Sequence, residues 1–206
     1  MPSLAAAIEE VRKRDKILSG FIARAGPIRH RKRNPDGHFG TLVRAIVFQQ
    51  LSGRVASVIL ERVVAAAGGQ LTPESVAAVS DAKLRGAGLS ANKLASLRDL
   101  SAKVLDGSVH LDAKRRESDD QIVAELVTVR GIGRWTAEMY LMFELRRLDV
   151  WPVDDLGVRQ GYGLLWGIEP PPSPKELIPL GERFRPYRTI VARYCWEAVA
   201  FHRTSR

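Results

Sequence analysis

Apolar residues in this chain recur at helical spacing almost everywhere, and the alternation that marks a half-buried strand is scarce. Leu42, Ala45, Ile46 and Gln49 stand at i, i+3, i+4 and i+7, and Val55, Val58, Ile59 and Val63 extend an apolar face beyond them. Leu94, Leu97, Leu100 and Val104 repeat the pattern, as do Ile122, Val123, Leu126 and Val127, and then Ala137, Tyr140, Leu141 and Glu144. Between these runs lie stops and starts. Gly68-Gly69 breaks one helix, Thr72 followed by Pro73 reads as an N-cap with proline at the first helical position, Ser80-Asp81 is a further start, and Gly86-Ala87-Gly88 a further break. The pattern predicts an all-α protein of about nine or ten helices joined by short turns. Two segments depart from it. Arg29-His30-Arg31-Lys32-Arg33 with Asn34-Pro35-Asp36-Gly37 reads as a basic loop closing an N-terminal helix. Glu169-Pro170-Pro171-Pro172-Ser173-Pro174 reads as a rigid connector, because prolines lack the N–H donors a helix needs.

Composition narrows the partner. The 206 residues carry a formal net charge of +9, which makes a polyanion the first class to consider. A single cysteine, Cys195, excludes an internal disulfide, a thiolate zinc site and a four-cysteine iron–sulfur cluster. The four histidines are dispersed, without zinc spacing. No apolar run approaches the ~18 residues of a membrane helix. At the start, the charges follow a short apolar patch, the reverse of a secretory signal, so the expectation is an intracellular protein that is not secreted.

The most informative stretch is Leu126-Val127-Thr128-Val129-Arg130-Gly131-Ile132-Gly133-Arg134-Trp135-Thr136-Ala137-Glu138. One amphipathic helix ends, two glycines sit one residue apart, and a second helix begins. Such glycines turn the backbone sharply and leave their N–H groups uncovered at a helix N-terminus, where the dipole favours an anion. A DNA phosphate suits that position, and its contact orients a duplex without reading sequence. A plain helical hairpin is the alternative for the glycines alone; the longer string is more specific.

That string resembles the helix-hairpin-helix of the base-excision DNA glycosylase superfamily (HhH-GPD), and the family's two other landmarks follow in its order. Asp149-Val150-Trp151-Pro152-Val153-Asp154-Asp155-Leu156-Gly157-Val158 is similar to its Gly/Pro-rich loop and aspartate. Leu42 to Ser52, through Gln49-Gln50, resembles its I-x-x-Q-Q-x-S helix. The resemblance runs from about His38 to Tyr194. With Arg185-Pro186-Tyr187-Arg188 and the run to Trp196, it is strongest to the alkylation-repair branch, DNA-3-methyladenine glycosylase II of the AlkA and yeast Mag type.

The resemblance implies a two-lobed fold with the active cleft between the lobes. Residues 38–135 would form a helical-barrel lobe ending in the hairpin at about 122–144, and residues 1–37 with 136–206 would form the second lobe. It implies that Asp155 is the catalytic carboxylate and Asp154 its structural partner. From the residues alone, either aspartate suits a helix cap. Trp135 stands where bifunctional members of the superfamily carry a nucleophilic lysine. An indole offers no amine, so the expectation is a monofunctional enzyme without lyase activity. Trp135, Tyr187, Met139 and Phe48 fall on base-pocket positions, and an aromatic face there suits a cationic alkylated purine. Gly131, Gly133, Arg130, Arg134 and Thr136 would meet phosphates. Gln49, Gln50 and Ser52 would face DNA or the lesion, with inter-helix hydrogen bonding as the plain alternative for the glutamines. Base flipping needs something to hold the gap. The resemblance puts that role in Leu89, Ser90, Ala91 and Asn92, where Leu89 is the large apolar residue and Ala91 the best-aligned tip. The main-chain carbonyls of Val127, Val129 and Ile132 fall on positions that hold a structural Na⁺ or K⁺ in the family, and no other cofactor is expected.

The expected activity is release of 3-methyladenine- or 7-methylguanine-type bases from damaged duplex DNA, by a monomer inside the cell, in the cytoplasm and at the nucleoid if the source is bacterial. Two rivals stand beside it: a non-catalytic DNA-gripping hairpin module, and a mismatch or uracil glycosylase on the same scaffold.

Overall fold

A computed structural model describes residues 2–111 and 117–204, and its regular elements among them are twelve helices. The chain divides into two compact units, residues 32–140 and residues 1–31 with 141–206.

The unit of residues 32–140 contains α3 (Gly37–Phe48), α4 (Gly53–Ala66), α5 (Pro73–Ala78), α6 (Asp81–Gly86), α7 (Ala91–Leu105), α8 (Asp119–Leu126) and the first turns of α9 (Arg134–Phe143). α7 packs against α3, α5 and α6. The helical stripes read from the sequence are its core: Leu42, Val43, Ile46 and Val47 of α3, Leu97 and Leu100 of α7, and Ile122 and Leu126 of α8 are buried. Its caps are local. The Thr72 hydroxyl accepts from Ser75 N–H at 3.0 Å while Ser75 returns a bond to Thr72 N–H, and Pro73 opens α5 as expected.

The other unit holds α1 (Leu4–Arg14), α2 (Lys16–Ala25), the end of α9, α10 (Leu156–Trp166), α11 (Pro174–Glu182) and α12 (Arg188–Thr204). The single N-terminal helix expected from sequence is two helices, broken at Asp15. That residue takes an extended backbone and its Oδ1 accepts from Leu18 N–H at 2.8 Å, capping α2. Its Oδ2 is held by the Trp166 indole N–H at 3.0 Å and by Arg183 at 3.1 Å, partners far away in sequence. The break satisfies a buried carboxylate, and no local signal announces it. α10 and α12 are the closest pair. A Cβ on Gly161 would stand 1.9 Å from the Cys195 carbonyl oxygen, so glycine is what lets the two backbones touch. The proline connector is shorter than expected: Ser173 caps α11 and Pro174 is already its first residue, where the missing N–H costs nothing.

Candidate active site

The hairpin is built in the unit of residues 32–140. α8 ends at Leu126, and the chain turns through Val129, whose carbonyl accepts from Ile132 N–H at 3.0 Å, before α9 starts at Arg134. Ile132 is buried and pins the turn to the core. Gly131 has φ +77°, and a Cβ there would meet the Ser96 hydroxyl at 2.5 Å, so both conformation and space demand glycine. Three side chains outside the hairpin fix it. Gln49 Nε2 donates to the Gly131 carbonyl at 2.8 Å. Asp99 Oδ2 accepts from Arg130 N–H at 2.7 Å. Lys103 bridges Asp99, at 3.0 Å, and the Thr128 carbonyl. Burial pushes the Asp99 carboxyl upward, but the hydrogen bonds from Arg130 and Lys103 and the charges of both residues outweigh it and hold the group below its ordinary value.

The arrangement leaves the N-terminal end of α9 exposed at Gly131, Gly133, Arg134 and Trp135, with Arg130 exposed beside it. First-turn N–H groups have no intrahelical partner, so this end suits an anion. Arg134 pairs with the buried Glu138 at 3.0 Å, which offsets part of its charge. Thr136 corrects an expectation. It is only 6% exposed, because its position on α9 points into the core, so its side chain is not at the surface. Trp135 is 49% exposed and shares a face with half-buried Met139 one turn on. Phe48 is half-buried, with the Arg44 guanidinium 3.8 Å from its ring centroid.

Gln49 takes the inter-helix role, whereas Gln50 and Ser52 are exposed. Gln50 adopts φ +56°, an uncommon conformation for a non-glycine residue, and the next residue, Leu51, is 38% exposed. In the 88–93 loop, Ser90, Ala91 and Asn92 are exposed, but Leu89 is 2% exposed and belongs to the core. Leu89 is therefore not a surface wedge.

In the other unit, Asp155 is the N-cap of α10. Its Oδ1 accepts from Val158 N–H at 2.8 Å and from the Trp196 indole N–H at 2.8 Å. The structural role expected of Asp154 is not seen: Asp155 itself caps the helix, and Asp154 is exposed. Sequence reasoning gave Trp196 no role. The signal was there, since a tryptophan in an amphipathic helix must find an acceptor for its N–H when covered. Tyr187 is half-buried, with Arg14 lying 5.2 Å from its ring centroid. The segment around it is fixed by Arg188, which forks onto Asp149 at 2.8 and 3.0 Å. Cys195 is fully buried, and burial followed by the nearby Asp155 charge pushes its thiol far up, so it offers no nucleophile.

Val127 caps the C-terminus of α8, and Val129 and Ile132 follow it in the turn. Their carbonyls are neutral oxygen donors, of which that of Val127 lies at the negative end of the α8 dipole, and the Lys103 ammonium meets the Thr128 carbonyl. Neutral carbonyl oxygens are the kind of donor that a monovalent cation accepts. Among the described residues no group of three or more His, Cys, Asp or Glu side chains is placed to hold a metal ion.

The chain is similar to known proteins. The chain is 35% identical to DNA-3-methyladenine glycosylase 1 of Schizosaccharomyces pombe over 159 residues, 76% of this chain and 70% of that protein. Its fold superposes on DNA-3-methyladenine glycosidase from Bacillus halodurans with a TM-score of 0.87 at 36% identity, covering 96% of this chain and 91% of the other. It also superposes on a Schizosaccharomyces pombe 3-methyladenine DNA glycosylase in complex with abasic DNA, with a TM-score of 0.81 at 31% identity, covering 93% and 95% of the two chains. Residues 43–186, which include the hairpin, Asp155 and Pro186, match the HhH-GPD superfamily of base excision DNA repair proteins, and the chain belongs to that family.

Proposed function

We propose that this protein is a monofunctional DNA-3-methyladenine glycosylase, which flips alkylated purines out of duplex DNA and hydrolyses their N-glycosidic bond. The observation that carries the reading is Asp155, a carboxylate held at a helix N-cap by two N–H donors on the same oxygen. The relatives that are DNA-3-methyladenine glycosylases support it.

The hairpin provides the grip. N–H groups at the start of α9, with Arg130 and Arg134 beside them, take backbone phosphates. Gln50 and Leu51, on a strained and exposed turn next to the residue that bonds Gly131, replace Leu89 as the group that fills the gap, with Ser52, Ser90, Ala91 and Asn92 as further contacts. Trp135 stacks on the extruded base, and Met139, Phe48 and Tyr187 each serve as further base contacts. As the bond from the sugar to the base breaks, its electron pair leaves with the base and positive charge grows on the sugar. The Asp155 carboxylate stabilises that charge and orients the water that attacks C1′. The attacking water's proton passes to bulk water, and an abasic site remains. Trp135 supplies no amine, so no covalent sugar adduct forms. The carbonyls of Val127, Val129 and Ile132 would hold a monovalent cation that steadies the hairpin. The protein acts on DNA in the cell, at the nucleoid where the source is bacterial.

Strand integrity tests the reaction type. Abasic sites should accumulate in methylated duplex, breaks should form only after alkali, and borohydride should trap no protein–DNA adduct. Enzyme-dependent nicking with trapping would contradict the monofunctional assignment. Trp196 acts through Asp155, as a positioning residue. Trp196→Phe keeps the ring and removes the N–H, so kcat should fall about tenfold with KM for DNA unchanged. A rise in KM with kcat preserved would show that Trp196 does not serve the carboxylate.

A further inference from the structure

The unit of residues 1–31 and 141–206 contains a cavity of about 400 Å³ to which the mechanism gives no role. Arg29, Arg31 and Arg193 line it, with Phe143 and Trp196 as its aromatic surfaces and Glu197 as the only carboxylate in its lining. Phe143 and Trp196 stack at 5.9 Å between centroids, and the Arg31 guanidinium lies 4.0 Å from the Phe143 centroid. Arg193 donates to the Arg29 carbonyl at 2.6 Å, which fixes its guanidinium at the cavity.

Guanidinium groups crowd this cavity, and the charges of Arg31 and Glu197 both reach Arg193. Burial first, then the Arg31 charge, holds the Arg193 guanidinium below its ordinary value. His30, beside the lining arginines, is likewise pushed down by burial and by the charges of Arg146 and Arg193. Arg146, whose charge reaches His30, has a left-handed backbone, φ +58°, and a buried Nε that meets no hydrogen-bond acceptor among the described residues. Crowded, partly desolvated guanidinium groups are what phosphate recognition uses. A cationic base would be repelled.

We propose that this cavity binds a phosphate ester group, either on the backbone of bound DNA or on a free nucleotide. A phosphate between Arg31 and Arg193 would accept charge-assisted hydrogen bonds from both, and the Phe143–Trp196 stack offers a surface for the attached sugar or base. Trp196 joins the cavity to Asp155, so an occupant borne on DNA would anchor a nucleotide close to the reacting one. Only the DNA source rests on the glycosylase reading; anion binding itself does not.

The test titrates the intact protein with inorganic phosphate and measures the salt dependence of its binding to a duplex bearing a tetrahydrofuran abasic analogue. Wild type, Arg31→Gln and Arg193→Gln are compared. Saturable phosphate binding that weakens about tenfold in each variant supports the site. A loss of about one counterion from the DNA salt slope in the variants assigns it to bound DNA, and an unchanged slope assigns it to a free nucleotide. Phosphate binding that the variants leave unchanged overturns the proposal, as does no phosphate binding with an unchanged slope. Binding of free 3-methyladenine at these arginines in place of phosphate also overturns it. If Arg193→Gln melts near room temperature, exposed Arg31 decides the outcome alone. Base release by the wild type is scored separately, so failure of the anion site is distinguishable from failure of the glycosylase reading.

Discussion

Asp155→Asn should reduce base release by about 10²- to 10⁴-fold while leaving the fold and the affinity for abasic-analogue DNA close to wild type. The substitution separates the two jobs of one side chain. The oxygen that accepts from Val158 N–H and from the Trp196 indole N–H survives as the amide oxygen, so the α10 cap and the indole contact are kept. What disappears is negative charge. An amide neither balances an oxocarbenium-like sugar nor polarises an attacking water to the same degree, so the loss falls on the transition state and appears in kcat. Asp154→Asn supplies the contrast: that side chain is exposed and caps nothing, and its variant should retain base release. A reversed result, with Asp154→Asn inactive and Asp155→Asn active, would move the chemistry to the neighbouring residue.

The largest effect on stability is expected at Gly161. Its absent side chain is the reason α10 and α12 touch, and an added Cβ would lie 1.9 Å from the Cys195 carbonyl oxygen and 2.4 Å from the carbonyl carbon. Those are backbone atoms of a long helix, so no rotamer change relieves the clash and the two helices must separate. Overpacking of this kind costs about 3 kcal/mol or more. At 2 to 4 °C per kcal/mol for a chain of this size, Gly161→Ala should lower Tm by about 10 °C. Gly20→Ala is the matched control. Gly20 lies inside α2 with open space around it, so alanine should leave Tm unchanged or raise it through helix propensity worth up to about 1 kcal/mol. Equal melting of Gly161→Ala and wild type would mean that the close approach of α10 and α12 is not as described.

What the sequence disclosed was what acts locally. The cap at Thr72-Pro73, the Ser80-Asp81 start and the glycine turn at 131–133 each place donors and acceptors within a few residues, and each is found where expected. What it withheld depends on partners distant along the chain. Asp15 breaks the N-terminal helix because Trp166 and Arg183 stand ready for its carboxylate. Leu89 and Thr136 read as surface residues from their place in loop and hairpin, and both turn inward because neighbouring helices cover them. The two aspartates of Pro152-Val153-Asp154-Asp155 are indistinguishable as letters, and only the indole of Trp196, on another helix, shows which carboxylate the fold holds. The hairpin string was legible, but its supports, Gln49, Asp99 and Lys103, come from α7 and the end of α3 and left no mark beyond ordinary helical spacing.

Chromatographic measurement of bases set free from methylated duplex DNA by the purified protein tests the central claim most directly. The account predicts enzyme-dependent release of 3-methyladenine, growing with time and abolished in Asp155→Asn. Tight binding to the same duplex with no base released would contradict it and leave a hairpin module that grips DNA without chemistry.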